Sequence, residues 1–338
     1  MRTITLEEPG RLVASQTAEP DDLAPGEALV RVRRIGVCGT DFHAFRGRQP
    51  FFTYPRILGH ELGVEVLEVN GDSGAIRPGS RCAVEPYLNC GVCIACRSGK
   101  PNCCVNLKVL GVHTDGGMRD VIRVPVNKLH PSATLSLDQL ALVETLGIGA
   151  HAVDRAQVIA GENALVIGAG PIGLAVTQFA MQAGANVTVM DVNESRLAFC
   201  REKIAAGSTV TAGDGALSHV EERTDGDLPT LVFDATGNPE SMQRAFQFVA
   251  HGGRLVFVGL FQGDVTFHDP HFHRREMTLL SSRNSTPRDF ERIIGLIETG
   301  EIDTTPWITH RASLDNFIDT FPTWLAPDSG VLKAIVEA

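Results

Sequence analysis

No stretch of this 338-residue chain is both long enough and apolar enough to read as a membrane span. The longest apolar run, 164–176, is interrupted by Gly168, Gly170, Pro171 and Gly173 and falls short of the roughly 18 residues that a crossing helix needs. Basic charge is scarce as well. Thirty Lys and Arg face 40 Asp and Glu, a formal net charge of -10, and no cationic stripe is present to track a phosphate backbone. Neither a nucleic-acid partner nor a membrane is therefore expected. The opening MRTITLEEPG places acidic residues and a proline where the apolar core of a secretory signal would begin, which points to a cytoplasmic protein. Internal repeats and low-complexity segments are also missing.

What is present suits two domains, given the length and a hydrophobic content of 43%. Residues 28–37 (ALVRVRRIGV), 62–69 (LGVEVLEV) and 120–126 (DVIRVPV) are β-branched runs with a period near two, broken by Gly and Pro turns, and predict a β-rich first domain. From about Gly161 the pattern changes to strand, glycine turn, long helix and strand, in ALVIGAG, PIGLAVTQFAMQAG and NVTVMD. That is a βαβ unit. Pro171 suits the first helical turn, and Gly184 the position just past the helix end. Further strands are expected at 230–237, 252–260 and 277–283, which makes the fold α/β, with a parallel sheet covered by helices on both faces. The tail beyond about 284 should hold helices near 288–299 and 314–325 and a closing strand near 331–336; by pattern alone it could pack on either domain.

The run GAGPIG fits G-x-G-x-x-G with Gly168, Gly170 and Gly173, directly after an apolar strand and before a helix that Pro171 and Ile172 open. Glycines there allow the tight turn and close backbone approach, and the helix N-terminus then faces a pyrophosphate. Asp191 ends the next strand, 18 positions after Gly173, near the spacing at which a carboxylate meets the ribose 2′-hydroxyl. It would repel a 2′-phosphate, so NAD is favoured over NADP, while Arg196 could reach the adenosine ribose or a phosphate. The plainer alternative is a strand-to-helix turn that needs its glycines for packing alone.

Four of the eight cysteines, Cys90, Cys93, Cys96 and Cys104, sit in one short run. In a large chain with no secretory signal such clustering points to metal thiolates before disulfides. The spacing is compact enough to wrap one tetrahedral zinc, and four thiolates leave no open position, as in a structural site. Cys103 could in principle take a ligand position, though Cys104 is preferred; unmetallated buried or redox thiols are the alternative. Cys82 and Cys200 stand alone and read as core packing. A second soft set is Cys38, in CGTDFH, with His60 and Glu61 after Gly59. A thiolate, an imidazole and a carboxylate can hold Zn²⁺ while leaving room for a substrate oxygen. Spacing alone does not establish that ligation, because a lone histidine is more often a core or surface group.

Taken in order, GVCGTDFH, ILGHELGVEVLEV, the cysteine run and GAGPIGL resemble the zinc-dependent medium-chain dehydrogenase/reductase family across essentially the full chain, and within it the polyol and sorbitol dehydrogenase branch. The resemblance implies a GroES-like catalytic domain at 1–150, completed by 284–338, and a doubly wound Rossmann NAD-binding domain at 151–283. It makes Cys38 and His60 ligands of a catalytic zinc, and Glu61 the adjacent carboxylate that ligates or moves on and off the metal. Glu144, in ALVETLGIGAHAV, matches the second glutamate of this branch and would bind zinc directly or through water. With the cysteine quartet the total is two zinc ions per subunit. Thr40 and His43 match the family's proton relay, a task that an imidazole titrating near neutrality suits, while Asp41 supports the loop. The implied reaction is hydride transfer from a zinc-polarised secondary alcohol to nicotinamide, in a cleft between domains that closes to exclude water.

Residues 109–118 (VLGVHTDGGM), 256–263 (VFVGLFQG) and 269–290 (DPHFHRREMTLLSSRNSTPRDF) further resemble bacterial sugar-acid dehydrogenases of the L-galactonate 5-dehydrogenase type, including proteins labelled starvation-sensing. Such an enzyme would oxidise an inner hydroxyl of an aldonate. A carboxylate substrate calls for a cation, and Arg283 is the candidate, with cofactor or Glu144 contacts as its alternative roles. His113 and Met118 fall on the loop that matches the family's substrate wall. The basic residues of HFHRREM read as a solvated or subunit surface, and LVFVGLFQGDVTF as a subunit edge of a homodimer or homotetramer. Rival readings are a sorbitol or xylitol dehydrogenase, an L-threonine 3-dehydrogenase, a non-catalytic NAD-binding sensor and a zinc-free quinone reductase. The last two predict eroded ligands, yet Cys38, Thr40, His43, His60, Glu61 and Glu144 are all present.

Overall fold

The computed structural model describes residues 1–326 and 328–338. They form two compact units, one of Met1–Glu144 with Thr286–Ala338 and one of Thr145–Ser285. The first division falls inside the helix Leu137–Ala156, ahead of the expected 150/151 boundary, and the second at 285/286.

The first unit is organised around the long strand Glu27–Val37, where Ala28, Val30, Val32 and Ile35 are buried. Its 11 residues are long enough to serve several neighbours: Glu61–Asn70 along most of its length, Val121–Pro125 along its first half and Lys333–Glu337 along its last residues, all antiparallel. The sheet order is Ile308–Ser313, Lys333–Glu337, Glu27–Val37, Glu61–Asn70, Arg81–Val84, Leu129–Pro131. One core contains Val30, Val32, Ile35, Leu58, Leu62, Phe317 and Phe321, each such buried side chain contributing about 1.5–3 kcal/mol by leaving water. The tail therefore packs on this unit. Its expected helix near 314–325 is instead three short turns, Leu314–Asn316, Phe317–Thr320 and Phe321–Leu325. Pro322 accounts for the break, since it donates no backbone hydrogen bond and crowds the preceding turn. The buried Phe317, Phe321 and Trp324 keep a helical spacing nonetheless.

In the second unit six parallel strands lie in the order Ser208–Thr211, Asn186–Asp191, Asn163–Ile167, Leu231–Asp234, Arg254–Phe257, Thr278–Ser281. Numbered along the chain this is 3-2-1-4-5-6, the doubly wound order of a Rossmann fold, which reverses direction beside Asn163–Ile167. A strand at that centre is covered on both faces, which explains its unbroken apolar run. The helix Pro171–Gln182 starts at Pro171, and Gly184, just past its C-cap Ala183, adopts φ +89°. No helix among the described residues is long and apolar enough to cross a membrane.

Candidate active site and metal centres

Cys38 directly follows the strand Glu27–Val37 and caps the short helix Gly39–Phe45. Its backbone N–H donates to Asp41 Oδ2 at 2.9 Å, so the fully buried Asp41 sets the turn that presents the thiol. The other oxygen, Asp41 Oδ1, lies 3.9 Å from His60 Nδ1. His60 and Glu61 arrive from the next strand, and the loop 111–118 packs beneath them glycine on glycine. Gly117 N–H donates to Gly59 O at 2.9 Å, and a side chain at Gly116 would sit 2.3 Å from the same oxygen. Donor atoms of Cys38, His60 and Glu61 end within 4.8 Å of one another. Ligands about 2.0–2.3 Å from a zinc ion would have that separation.

Two features of the carboxylate were not read from sequence. Glu61 pairs across the sheet with Gly36, where a Cβ would fall 2.0 Å from Glu61 Oε2, so only glycine leaves room for it. Lys333, from the closing strand, donates to Glu61 Oε1 at 2.5 Å and also meets Oε2; both side chains are 1% exposed. The available signal was a lysine inside the apolar run VLKAIV. Glu144 accepts from the hydroxyl of Tyr87, and both are buried.

Electrostatics mark the same place. Burial pushes the carboxyls of Asp41 and Glu144 up, partly opposed by His60 in each case. Burial disfavours the charged imidazole of His60, yet its hydrogen bond to Cys38 and the charges of Cys38, Asp41 and Glu144 hold it well above its usual value. The buried carboxyls of Asp41, Glu61 and Glu144 and the half-buried thiol of Cys38 thus share one region with the buried ammonium of Lys333. This excess of hard and soft anionic donors is the environment a divalent ion such as zinc neutralises, so the residues fit the metal. Thr40 and His43 occur one turn apart on the helix Gly39–Phe45, with His43 exposed. Partial burial and the nearby Arg46 and Arg48 lower the His43 pKa below its ordinary value.

The cysteine quartet forms a second cluster in the same unit. Cys93 and Cys96 sulfurs are 3.5 Å apart, as are Cys90 and Cys104, and Cys93 to Cys104 is 3.8 Å. Those are non-bonded edges, close to the ~3.8 Å that a tetrahedron with Zn–S near 2.3 Å requires. Backbone N–H groups of Cys96 and Val105 pull the Cys93 thiol down to about 6, readying it for a cation. Cys103 is exposed and outside the cluster.

In the second unit Gly168 has φ +99°, and a Cβ on Gly173 would lie 1.7 Å from Gly168 O, so the fingerprint turn closes only with glycine there. Asp191 Oδ2 accepts from Ala169 N–H at 2.6 Å and Oδ1 from Asn193 N–H at 2.8 Å, which fixes the carboxylate beside the turn. The Arg196 guanidinium reaches over Gly170, where a Cβ would stand 3.8 Å from it. Buried Asp234 accepts from Thr236 and Ser241 and shapes the loop after the fourth strand, another feature that sequence reading missed. Arg283 is exposed just past the edge strand. His113 Nδ1 accepts from Val109 N–H, and its ring stacks on Phe51 at 6.2 Å. Met118 requires a correction. It is fully buried in the core of the first unit with Leu58 and Leu62, so its side chain packs the fold and offers no surface to a substrate.

Residues 24–134 match the alcohol dehydrogenase GroES-like domain and residues 171–299 the zinc-binding dehydrogenase domain. L-galactonate-5-dehydrogenase of Escherichia coli K12 is 37% identical over 99% of this chain and 98% of its own. The chain belongs to the zinc-dependent medium-chain dehydrogenase/reductase family. It is a dehydrogenase acting on CH–OH groups, built from a GroES-like and a Rossmann domain, and uses zinc and a nicotinamide dinucleotide. Two solved family members are similar throughout. A short chain alcohol dehydrogenase (RspB) of Escherichia coli CFT073, complexed with NADH, has a TM-score of 0.92 and 29% identity, covering 100% of this chain and 99% of that one. A zinc-binding dehydrogenase of Sinorhizobium meliloti 1021, bound to NADP, has a TM-score of 0.90 and 30% identity with the same coverage.

Proposed function

We propose that this dehydrogenase oxidises a secondary hydroxyl of a polyhydroxy acid such as L-galactonate, with NAD as acceptor. The observation that carries the reading is the cluster of half-buried Cys38 with buried His60 and Glu61, their donor atoms within 4.8 Å of one another. With Glu144 these residues would hold the catalytic zinc, and Cys90, Cys93, Cys96 and Cys104 the structural one. When bound, zinc supplies a Lewis acid and the nicotinamide a hydride acceptor. The protein's own side chains do the remaining work. Asp41 sets a negative charge beside His60, Lys333 steadies Glu61 and Tyr87 steadies Glu144. Thr40 and His43 carry the hydroxyl proton outward; the lowered pKa of His43 keeps its imidazole neutral and able to accept near pH 7.

On the cofactor side, Gly168, Gly170, Pro171, Ile172 and Gly173 shape the pyrophosphate seat, and Arg196 adds a cation above it. Asp191 would accept from ribose hydroxyls and repel a 2′-phosphate, which favours NAD. Arg283 is assigned to the substrate carboxylate or the cofactor, and His113 to the substrate wall. The 37% identity to a protein named L-galactonate-5-dehydrogenase supports the sugar-acid substrate. Eight cysteines without a disulfide suit a reducing cytoplasm. Thr278–Ser281, unpaired on its outer side with Leu279 38% exposed, suits a homodimer or homotetramer.

A substrate screen that follows NADH absorbance, with hexonates beside sorbitol, xylitol and threonine, tests the reading. Turnover of a hexonate is expected. Inert hexonates with active sorbitol would transfer the assignment to a polyol.

A further inference from the structure

Behind the cysteine quartet runs a chain of buried polar groups for which the proposed reaction has no use. Glu85, Lys128 and His130 are 1%, 5% and 6% exposed, in a sheet region where charge is costly unless fully paired. They do pair. Lys128 Nζ donates to Glu85 Oε1 at 2.5 Å, and His130 Nε2 lies 3.2 Å from Glu85 Oε2. The strands Arg81–Val84 and Leu129–Pro131 hold this arrangement in register, and Glu85 N–H donates to Lys128 O at 2.8 Å. The His130 ring stacks on Phe290 at 4.8 Å.

The network does not end in the sheet. Lys128 Nζ also donates to Asn89 Oδ1 at 3.0 Å, and Asn89 Nδ2 donates to Cys96 Sγ at 3.7 Å. Donor chemistry dictates that direction. An ammonium can only donate, so Lys128 claims the carboxamide oxygen and leaves the NH₂ to face the sulfur. An N–H directed at a thiolate stabilises its anionic form, and a ligand's outer hydrogen bonds govern how firmly a metal is kept. Four thiolates around a divalent ion carry excess negative charge, which makes such a donor the more valuable.

We propose that Asn89 and Lys128 are positioning residues for the cysteine-held metal: Lys128, anchored on Glu85, turns the Asn89 carboxamide so that it donates to Cys96. Metal retention at the quartet is thereby tied to a buried ion network of the catalytic domain rather than to the four cysteines alone. This rests on the quartet holding a metal, as proposed above.

The test uses the full chain loaded with cobalt. A Cys38→Ser background, used as the parent for every variant, removes the one thiolate of the other centre, so the thiolate-to-cobalt charge-transfer band reports the quartet and its decay under excess EDTA gives the release rate. Asn89→Ala removes the donor, and Asn89→Asp places a carboxylate against the sulfur. Both should speed release by about 10–100-fold, the usual effect of losing an outer-shell partner, with Asn89→Asp the faster. Lys128→Arg, which keeps a donor to both neighbours, should stay close to the parent. Lys128→Met should match Asn89→Ala; if it does not fold, the Asn89 pair decides. Folded Asn89 variants that release metal within twofold of the parent would overturn the inference alone. A parent chain with no thiolate-to-cobalt band would remove the metal centre itself, and the inference with it.

Discussion

Replacing Lys333 by Met removes the ammonium that meets Glu61, a carboxylate that is 1% exposed. Breaking a buried pair by deleting one partner costs about 3–5 kcal/mol, against a total stability of roughly 5–15 kcal/mol for a domain. For a unit of this size, 1 kcal/mol corresponds to about 2–4 °C, so the metal-free melting transition should fall by roughly 6–20 °C. Two controls make the number diagnostic. Adding Glu61→Gln to the Met variant removes the carboxylate charge and should restore most of the loss. Zinc, if Glu61 helps to hold it, supplies a substitute cation and should shrink the penalty in the loaded protein. Scanning calorimetry of the four combinations, with and without metal, measures each term. A drop of less than about 2 °C in metal-free Lys333→Met, or no recovery on adding Glu61→Gln, would show that the pair does not carry the charge balance assigned to it.

Gly173→Ala drives a methyl to 1.7 Å from Gly168 O, and the strain of about 1–3 kcal/mol should weaken NAD binding roughly 10–100-fold while leaving the zinc count unchanged, as fluorescence titration and elemental analysis would show. Asp191→Ser removes the charge that opposes a 2′-phosphate, and the ratio of kcat/KM for NADP over NAD should rise about 100-fold, since like-charge contact costs several kcal/mol; an unchanged ratio would take cofactor choice away from Asp191. Arg46→Gln with Arg48→Gln removes two cations that depress the His43 pKa, so the pKa should rise. His43 is then neutral only at higher pH, and the acid limb of the kcat/KM profile should move up; a limb that stays put or moves down would exclude His43 as the proton acceptor.

Locally encoded features were legible in the sequence, and features made by pairing distant strands were not. Two-residue alternation at 28–37 and the apolar run before Gly168 mark strands because the pleat and the doubly covered sheet impose those patterns directly. Gly168 and Gly173 are readable because steric exclusion acts within six residues. By contrast, Lys333 meets Glu61 across 272 positions, and Gly36 makes room for the same carboxylate through sheet register, which no short window contains. Met118 misled because a family loop fixes where the backbone runs, while burial in the core decides where the side chain goes. The turns at 314–325 kept the spacing of their aromatic residues and lost helical continuity at Pro322, a case of packing preserved while a propensity was broken.

The central claim is that two distinct metal centres stand in the catalytic domain, one of them built on Cys38, His60 and Glu61. Elemental analysis of the chain beside its Cys38→Ser variant, with NAD binding and turnover measured on the same samples, tests it most directly. Two zinc ions should fall to one, turnover should vanish and NAD affinity should hold. One zinc ion or none in the parent chain, or a Cys38→Ser protein that keeps both ions and its activity, would contradict the account.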